Sequence, residues 1–278
     1  MSFMIGLVRN IKKLYTRINI KKGLYYFDSF DNWDDAYKAS LKFGEAYESE
    51  NIIEKVIEAT EAVRNGDAVY EQDGVLYYED AHVYEFLAAL FYVFSRKEKI
   101  NICDFGGALG STYFRYRKFF PKDRINWNII EQKAFVDYGK RYIPEIKFHY
   151  SVQEQIHDSG KIDVVLFLSV LPYLDNPDGI LTDVFEKKPE YILVDETVFN
   201  FSEEEEEHIV LQYVPAEHYK AVYPSHIFNR GKFIRKFESN GYEKVLEWIY
   251  PVGAIPTIKR FTVKENIDRG FLFRLVEE

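Results

Sequence analysis

The spacing of apolar positions changes along this chain, and each change marks a different kind of element. Met4, Leu7, Val8, Ile11, Leu14, Tyr15 and Ile18 recur at helical spacing and predict an amphipathic helix. Asp31-Asn32-Trp33 offers a helix start, and Ile52, Ile53, Val56, Ile57 and Val63 predict a second amphipathic helix that ends near Asn65-Gly66. Asp73-Gly74 predicts a turn between the short runs 68–70 and 75–78, and 83–94 reads as a buried helix. Further on the pattern shortens to strands at 101–105, 125–130, 146–150, 162–168 and 191–194, with 242–250 and 270–276 as a closing pair. The 162–168 run is continuously apolar, as a parallel strand covered on both faces must be. Strands alternating with helices predict an α/β fold with a mostly parallel seven-stranded sheet flanked by helices. Residues 1–95 read as a helical extension or cap, and 96–278 as the domain that carries the sheet.

Chemistry concentrates where the first strand of that sheet ends. Asn101-Ile102-Cys103-Asp104-Phe105 runs into Gly106-Gly107-Ala108-Leu109-Gly110-Ser111: a strand, an acid at its end, a glycine-rich turn and a helix start. Glycines let a ligand approach the backbone, and open α/β sheets bind ligands at this place. The dinucleotide pattern G-x-G-x-x-G fails, because Ala108 stands where a second spaced glycine belongs. The order acid-x-Gly-x-small-x-Gly, with Asp104 two residues before Gly106, resembles the first motif of class I S-adenosyl-L-methionine (SAM)-dependent methyltransferases. A carboxylate at the turn repels a pyrophosphate but not a sulfonium or an ammonium. Glu131 ends the 125–130 strand, 21 residues beyond Gly110. That is close to the ~20 residues at which an acid meets ribose hydroxyls in nucleotide folds.

Net charge −9 and a pI near 5.3 argue against a nucleic-acid substrate, which needs a basic surface. The single cysteine, Cys103, excludes an intramolecular disulfide, fits a reducing cytoplasm and reads as core. No apolar run of membrane-spanning length and no signal-peptide pattern is seen. The N-terminus departs from the acidic average: Arg9, Lys12, Lys13, Arg17, Lys21 and Lys22 occur with no acid up to Phe27. A helix with that charge bias either docks on the rest of the protein or makes a peripheral contact with anionic lipid. The Glu203 to Glu207 run reads as solvated.

From about Tyr70 to Phe228 the chain resembles a family of bacterial SAM-dependent methyltransferases encoded among genes for surface polysaccharides. The resemblance is carried by Tyr70-Glu71-Gln72-Asp73, the stretch from Asp104 to Tyr113, Asn128-Ile129-Ile130-Glu131-Gln132, Ser169-Val170-Leu171-Pro172-Tyr173-Leu174, Gln212-Tyr213-Val214-Pro215 and Tyr223-Pro224. It implies a Rossmann-like fold and SAM as cofactor. The implied cofactor contacts are Asp104, Gly106, Gly107, Gly110, Ser111, Tyr113, Glu131, Gln132, Ser151, Val152, Ser169, Val170 and Leu171. The segment 70–78 is expected to shape the acceptor pocket. The implied acceptor is a small molecule or glycan precursor, including phosphate- or phosphoramidate-bearing ones. The chain departs from the family pattern at Asp195-Glu196 and at His226, both on the acceptor side.

Methyl transfer from a sulfonium is an in-line displacement, so proximity and alignment dominate, and a hydroxyl acceptor gains from a general base. His218 and His226 follow the fifth strand, where acceptor loops lie, and Asp195 and Glu196 are rival candidates. Their spacing singles out no metal set, and none is expected. Two other readings share this sheet: a nicotinamide-nucleotide oxidoreductase or epimerase, and a non-catalytic SAM-fold partner protein.

Overall fold

A computed structural model describes residues 25–43, 50–79, 82–201, 206–214, 221–249 and 267–276. The predicted N-terminal helix with its membrane contact, and His218, lie outside them.

Apolar alternation builds the central layer. In β4 (Ile100–Phe105), Ile100 and Ile102 face one core and Cys103 the other, so the strand needs cover on both sides. Its neighbours β5 (Ile125–Ile130) and β7 (Val164–Leu168) run parallel to it, and β6 (Lys147–His149) and β8 (Tyr191–Asn200) extend the parallel set at either side. The closing pair lies beyond β8: β12 (Ile267–Leu275) runs antiparallel to β8 and to β11 (Tyr242–Ile249). The order β6-β5-β4-β7-β8-β12-β11 is the expected mostly parallel, seven-stranded, Rossmann-like sheet.

One layer of helices covers the first core: α2 (Glu50–Asn65), α3 (Tyr84–Phe94), the short α4 (Ser111–Tyr116) and α5 (Lys133–Tyr142) contribute Val56, Phe86, Leu90, Phe114 and Val136. On the opposite face, α7 (Pro177–Glu186) and α8 (Arg230–Ser239) contribute Leu181, Phe185, Phe233 and Phe237. Cys103 is buried there as read, and burial pushes its thiol pKa well up. No helix among the described residues is long and apolar enough to cross a membrane.

The sheet is larger than the sequence pattern indicated. At its C-terminal end β8 pairs with β10 (Ala221–Asn229), and β9 (His208–Val214) and β1 (Tyr25–Phe30) continue outward, giving ten strands among the described residues. The N-terminal segment therefore supplies a strand as well as helices. Trp33 does begin a helix, α1 (Trp33–Ser40), with Asn32 accepting from the Asp35 N–H as its cap. The Asp73-Gly74 turn joins β2 (Tyr70–Gln72) to β3 (Val75–Tyr77) as a separate hairpin.

Candidate functional site

The carboxyl ends of β4, β7 and β8 open into a cleft roofed by the β2–β3 hairpin. Its lining includes Glu71, Gln72, Asp73, Asp104, Gly106, Gly107, Ala108, Ser111, Arg115, Tyr116, Ser169, Asp195 and Glu196.

The glycine turn is shaped by the acid beneath it. A Cβ on Gly107 would lie 2.6 Å from the Asp104 carboxylate, and one on Gly110, at φ +102°, would lie 2.4 Å from Ile146. Asp104 is fully buried: Oδ2 accepts from Trp127 Nε1 at 3.1 Å, while Oδ1 has no hydrogen-bond partner. Burial raises its pKa to about 7, with Trp127 opposing and Glu131 adding to the rise. An orphaned carboxylate oxygen in the cleft lining suits a cationic ligand or a bridging water. Glu131 is held against the same turn, accepting from the backbone N–H groups of Gln132 (2.6 Å) and Ala108; burial raises its pKa against these two bonds.

Across the cleft stands a set of acids from distant segments. Glu71, buried on the hairpin, accepts from the Ser111 hydroxyl and from the Gly74 N–H at 3.0 Å. Burial lifts its pKa to about 7 against both bonds. Gln72 donates to Glu196 at 3.2 Å, and Trp248 Nε1 donates to Asp195 at 3.0 Å.

Asp195 and Glu196 are consecutive in a strand, where side chains ordinarily point to opposite faces. Here both line the cleft. The β8–β12 register passes from Arg269↔Thr197 to Phe271↔Val194, so β8 carries one extra residue, and Glu196 sits at φ +50°. This bulge inverts the strand's facing. Ile192 and Val194 pack in the second core before it, and Phe199 packs there after it. Asp73, Ala108, Ser169 and Glu196 are four of the six non-glycine residues at positive φ among the described residues, and all line the cleft. Such backbones persist where the surroundings over-determine them, which is common at binding sites.

Of the expected cofactor contacts, Asp104, Gly106, Gly107, Ser111 and Ser169 line the cleft, with Gly110 completing the turn. Tyr113 lies in the first core against Trp127, and Val170 packs over Gly106. Leu171 is fully buried. Gln132 precedes α5, and Ser151 caps α6 (Val152–Ser159) by accepting from the Glu154 N–H at 3.2 Å; Glu131, Gln132, Ser151, Val152 and Leu171 do not line the cleft.

His226 is also elsewhere. It belongs to β10, its ring stacks on Trp33 and Phe228, and Nε2 donates to the Leu174 carbonyl at 3.0 Å. Burial lowers its pKa against that bond. The segment was expected to be an acceptor loop; it is a strand instead, and Pro224 is tolerated because β10 pairs only with β9 at that point.

Arg115 and Tyr116 were not singled out from the sequence. Arg115 follows Ser111 by four residues, one helical turn, which puts both on one face; its guanidinium lies 4.1 Å over the Tyr70 ring. Glu71 was noted only within the family resemblance.

No protein-family model and no curated protein sequence matches the chain. Among solved structures it is similar to the N-terminal domain of EvdMO1 with S-adenosylhomocysteine (SAH) and D-fucose, at 15% identity and TM-score 0.49, covering 82% of this chain and 100% of that one. It is similar to a Burkholderia thailandensis 1,6-didemethyltoxoflavin-N1-methyltransferase at 10% and 0.43, covering 84% and 92%. A Synechocystis magnesium protoporphyrin IX methyltransferase aligns at 11% and 0.42, covering 80% and 97%. At these values no substrate or mechanism carries over from one chain to another.

Proposed function

We propose that the chain is a SAM-dependent methyltransferase and that its acceptor is a sugar or surface-polysaccharide precursor, methylated on oxygen. The observation that carries the cofactor reading is Asp104. A fully buried carboxylate with an unpartnered oxygen, set under a glycine turn at a strand end, fits a cationic methionine moiety. The charge of the whole cleft agrees. Among the described residues, Glu71, Asp73, Asp104, Asp195 and Glu196 face one lining guanidinium, Arg115, which favours a ligand of net positive charge over a pyrophosphate.

When bound, SAM supplies a methyl group on a sulfonium. Asp104 and the glycine turn would hold its methionine end, and Glu131, already fixed against Ala108, would take the ribose hydroxyls. Glu196, placed in the cleft by the bulge and steadied by Gln72, receives the acceptor's proton, and the Trp248 bond holds Asp195 beside it. The hairpin roof excludes water from that side. The acceptor class rests on the resemblance between Tyr70 and Phe228.

Isothermal titration with SAH, SAM, NAD and NADP tests the cofactor. SAH and SAM should bind, and Asp104→Asn should weaken SAM at least tenfold, about 1.4 kcal/mol. Preference for NAD or NADP would overturn the reading. SAH release with a panel of sugars, nucleotide sugars and phosphorylated sugars then tests the acceptor.

A further inference from the structure

A second cluster of ligand-bearing side chains lies outside the cleft, where β6 passes into α6. A ring nitrogen of His149 and one carboxylate oxygen each from Glu154 and Asp158 all lie within 4.8 Å of one another. Glu154 and Asp158 are four residues apart on α6, so both reach one helix face. His149 is 2% exposed, and its Nδ1 is buried with no hydrogen-bond partner, 3.7 Å from Asp158 Oδ2.

The surrounding network fixes which imidazole nitrogen carries the proton. Asn101 Nδ2 donates to the carbonyls of Ser159, Gly160 and Lys161, so its Oδ1 must face Asn128. Asn128 Nδ2 donates to that oxygen and to the carbonyls of Ile102 and Asn126, so Asn128 Oδ1 is turned to His149 Nε2 at 3.0 Å. That oxygen only accepts. Nε2 therefore holds the hydrogen, and Nδ1 presents a bare lone pair toward the two carboxylates. An imidazole whose outer N–H is pinned by an amide or carboxylate oxygen is the usual arrangement of a metal-ligating histidine.

We propose that His149, Glu154 and Asp158 form a binding site for one Zn²⁺ ion, with solvent completing the coordination. One imidazole and two carboxylates suit zinc, whose ligand atoms at ~2.1 Å in a tetrahedron stand about 3.4 Å apart. The His149–Asp158 separation is already close to that value. Binding requires Lys140, 40% solvent-accessible, to release Glu154 Oε1, now 2.7 Å away, whereas His157 holds only Asp158 Oδ1, at 2.7 Å, and leaves Oδ2 for the ion. The Tyr150 N–H keeps the other Glu154 oxygen, at 2.7 Å.

The test is calorimetric titration of ZnCl₂ into chelator-stripped full-length protein, alongside Glu154→Gln, Asp158→Asn and His157→Gln, with MgCl₂ as a second titrant. The site predicts 1:1 zinc binding, at least tenfold weaker in E154Q and in D158N, near-unchanged in H157Q, and absent for Mg²⁺. E154Q and D158N alter solvent-reaching side chains, and circular dichroism before titration confirms that they fold. No zinc binding, binding that both variants retain, or binding lost in H157Q alone would each overturn the proposal. None of these outcomes depends on SAM or on turnover.

Discussion

One wall of the cleft is a continuous stretch from Asp104 to Ser111. The wall facing it joins Gln72 to Glu196 across 124 residues of sequence, and draws Trp248 onto Asp195 from 53 residues away. In the first wall, strand, acid, glycines and helix are covalently consecutive, so their geometry is dictated locally. In the second, each acid is held by a partner that only the tertiary fold delivers. The first wall tolerates no added atoms, whereas the second is held by individual hydrogen bonds that can be removed singly.

Gly107→Ala should have the largest effect. Its methyl group would press on a buried acid that cannot move, costing about 1–3 kcal/mol of stability. SAH affinity should fall at least tenfold. Urea unfolding and calorimetry measure both, and an unaffected variant would erase the contrast between the walls.

The pH dependence of stability probes both walls at once. Glu71 and Asp104 have pKa values raised to about 7 in the fold, from 4.5 and 3.8. The folded state therefore binds their protons more tightly than the unfolded chain does. Their contribution is most favourable below pH 4 and is lost as pH rises towards 7. Glu71→Gln should remove its share, flattening urea midpoints between pH 4.5 and 7 while leaving the Asp104 share. A variant as pH-sensitive as the parent would show that Glu71 does not titrate in that range.

Gln72→Ala should have the smallest effect. Losing one part-buried bond to Glu196 costs about 1 kcal/mol or less. Hydrogen exchange should rise in 70–77 and stay constant in 100–111; a global rise would mean that the hairpin does not move independently of the first wall.

The same contrast explains what could be read from sequence. The Asp104–Ser111 turn, the buried β7 run and the Asp73-Gly74 hairpin turn are local patterns, and each is present in the fold. Strand β1 was missed because 25–30 carries no clean alternation, and its pairing with β9 is set by a partner more than 180 residues away. The facing of Glu196 was not legible either. Period-two reasoning assigns it to the face opposite Asp195, and only the extra residue against β12 reverses that. His226 was expected in an acceptor loop after the fifth strand, but β10 carries it against Trp33.

The placement of β12 between β8 and β11 also bears on the order in which the protein can be completed during synthesis. The glycine-turn wall is encoded before residue 112, but β8, apart from its C-terminal end on β10, gains its second neighbour only from 267–275, and the Asp195 carboxylate receives its indole donor only from Trp248. A nascent chain that has emerged as far as β8 holds the glycine turn yet leaves Asp195 without its indole donor and a central strand with an open edge. Such edges invite intermolecular pairing. Assembly of the cleft thus waits for β12, although its most recognisable motif is encoded long before that strand.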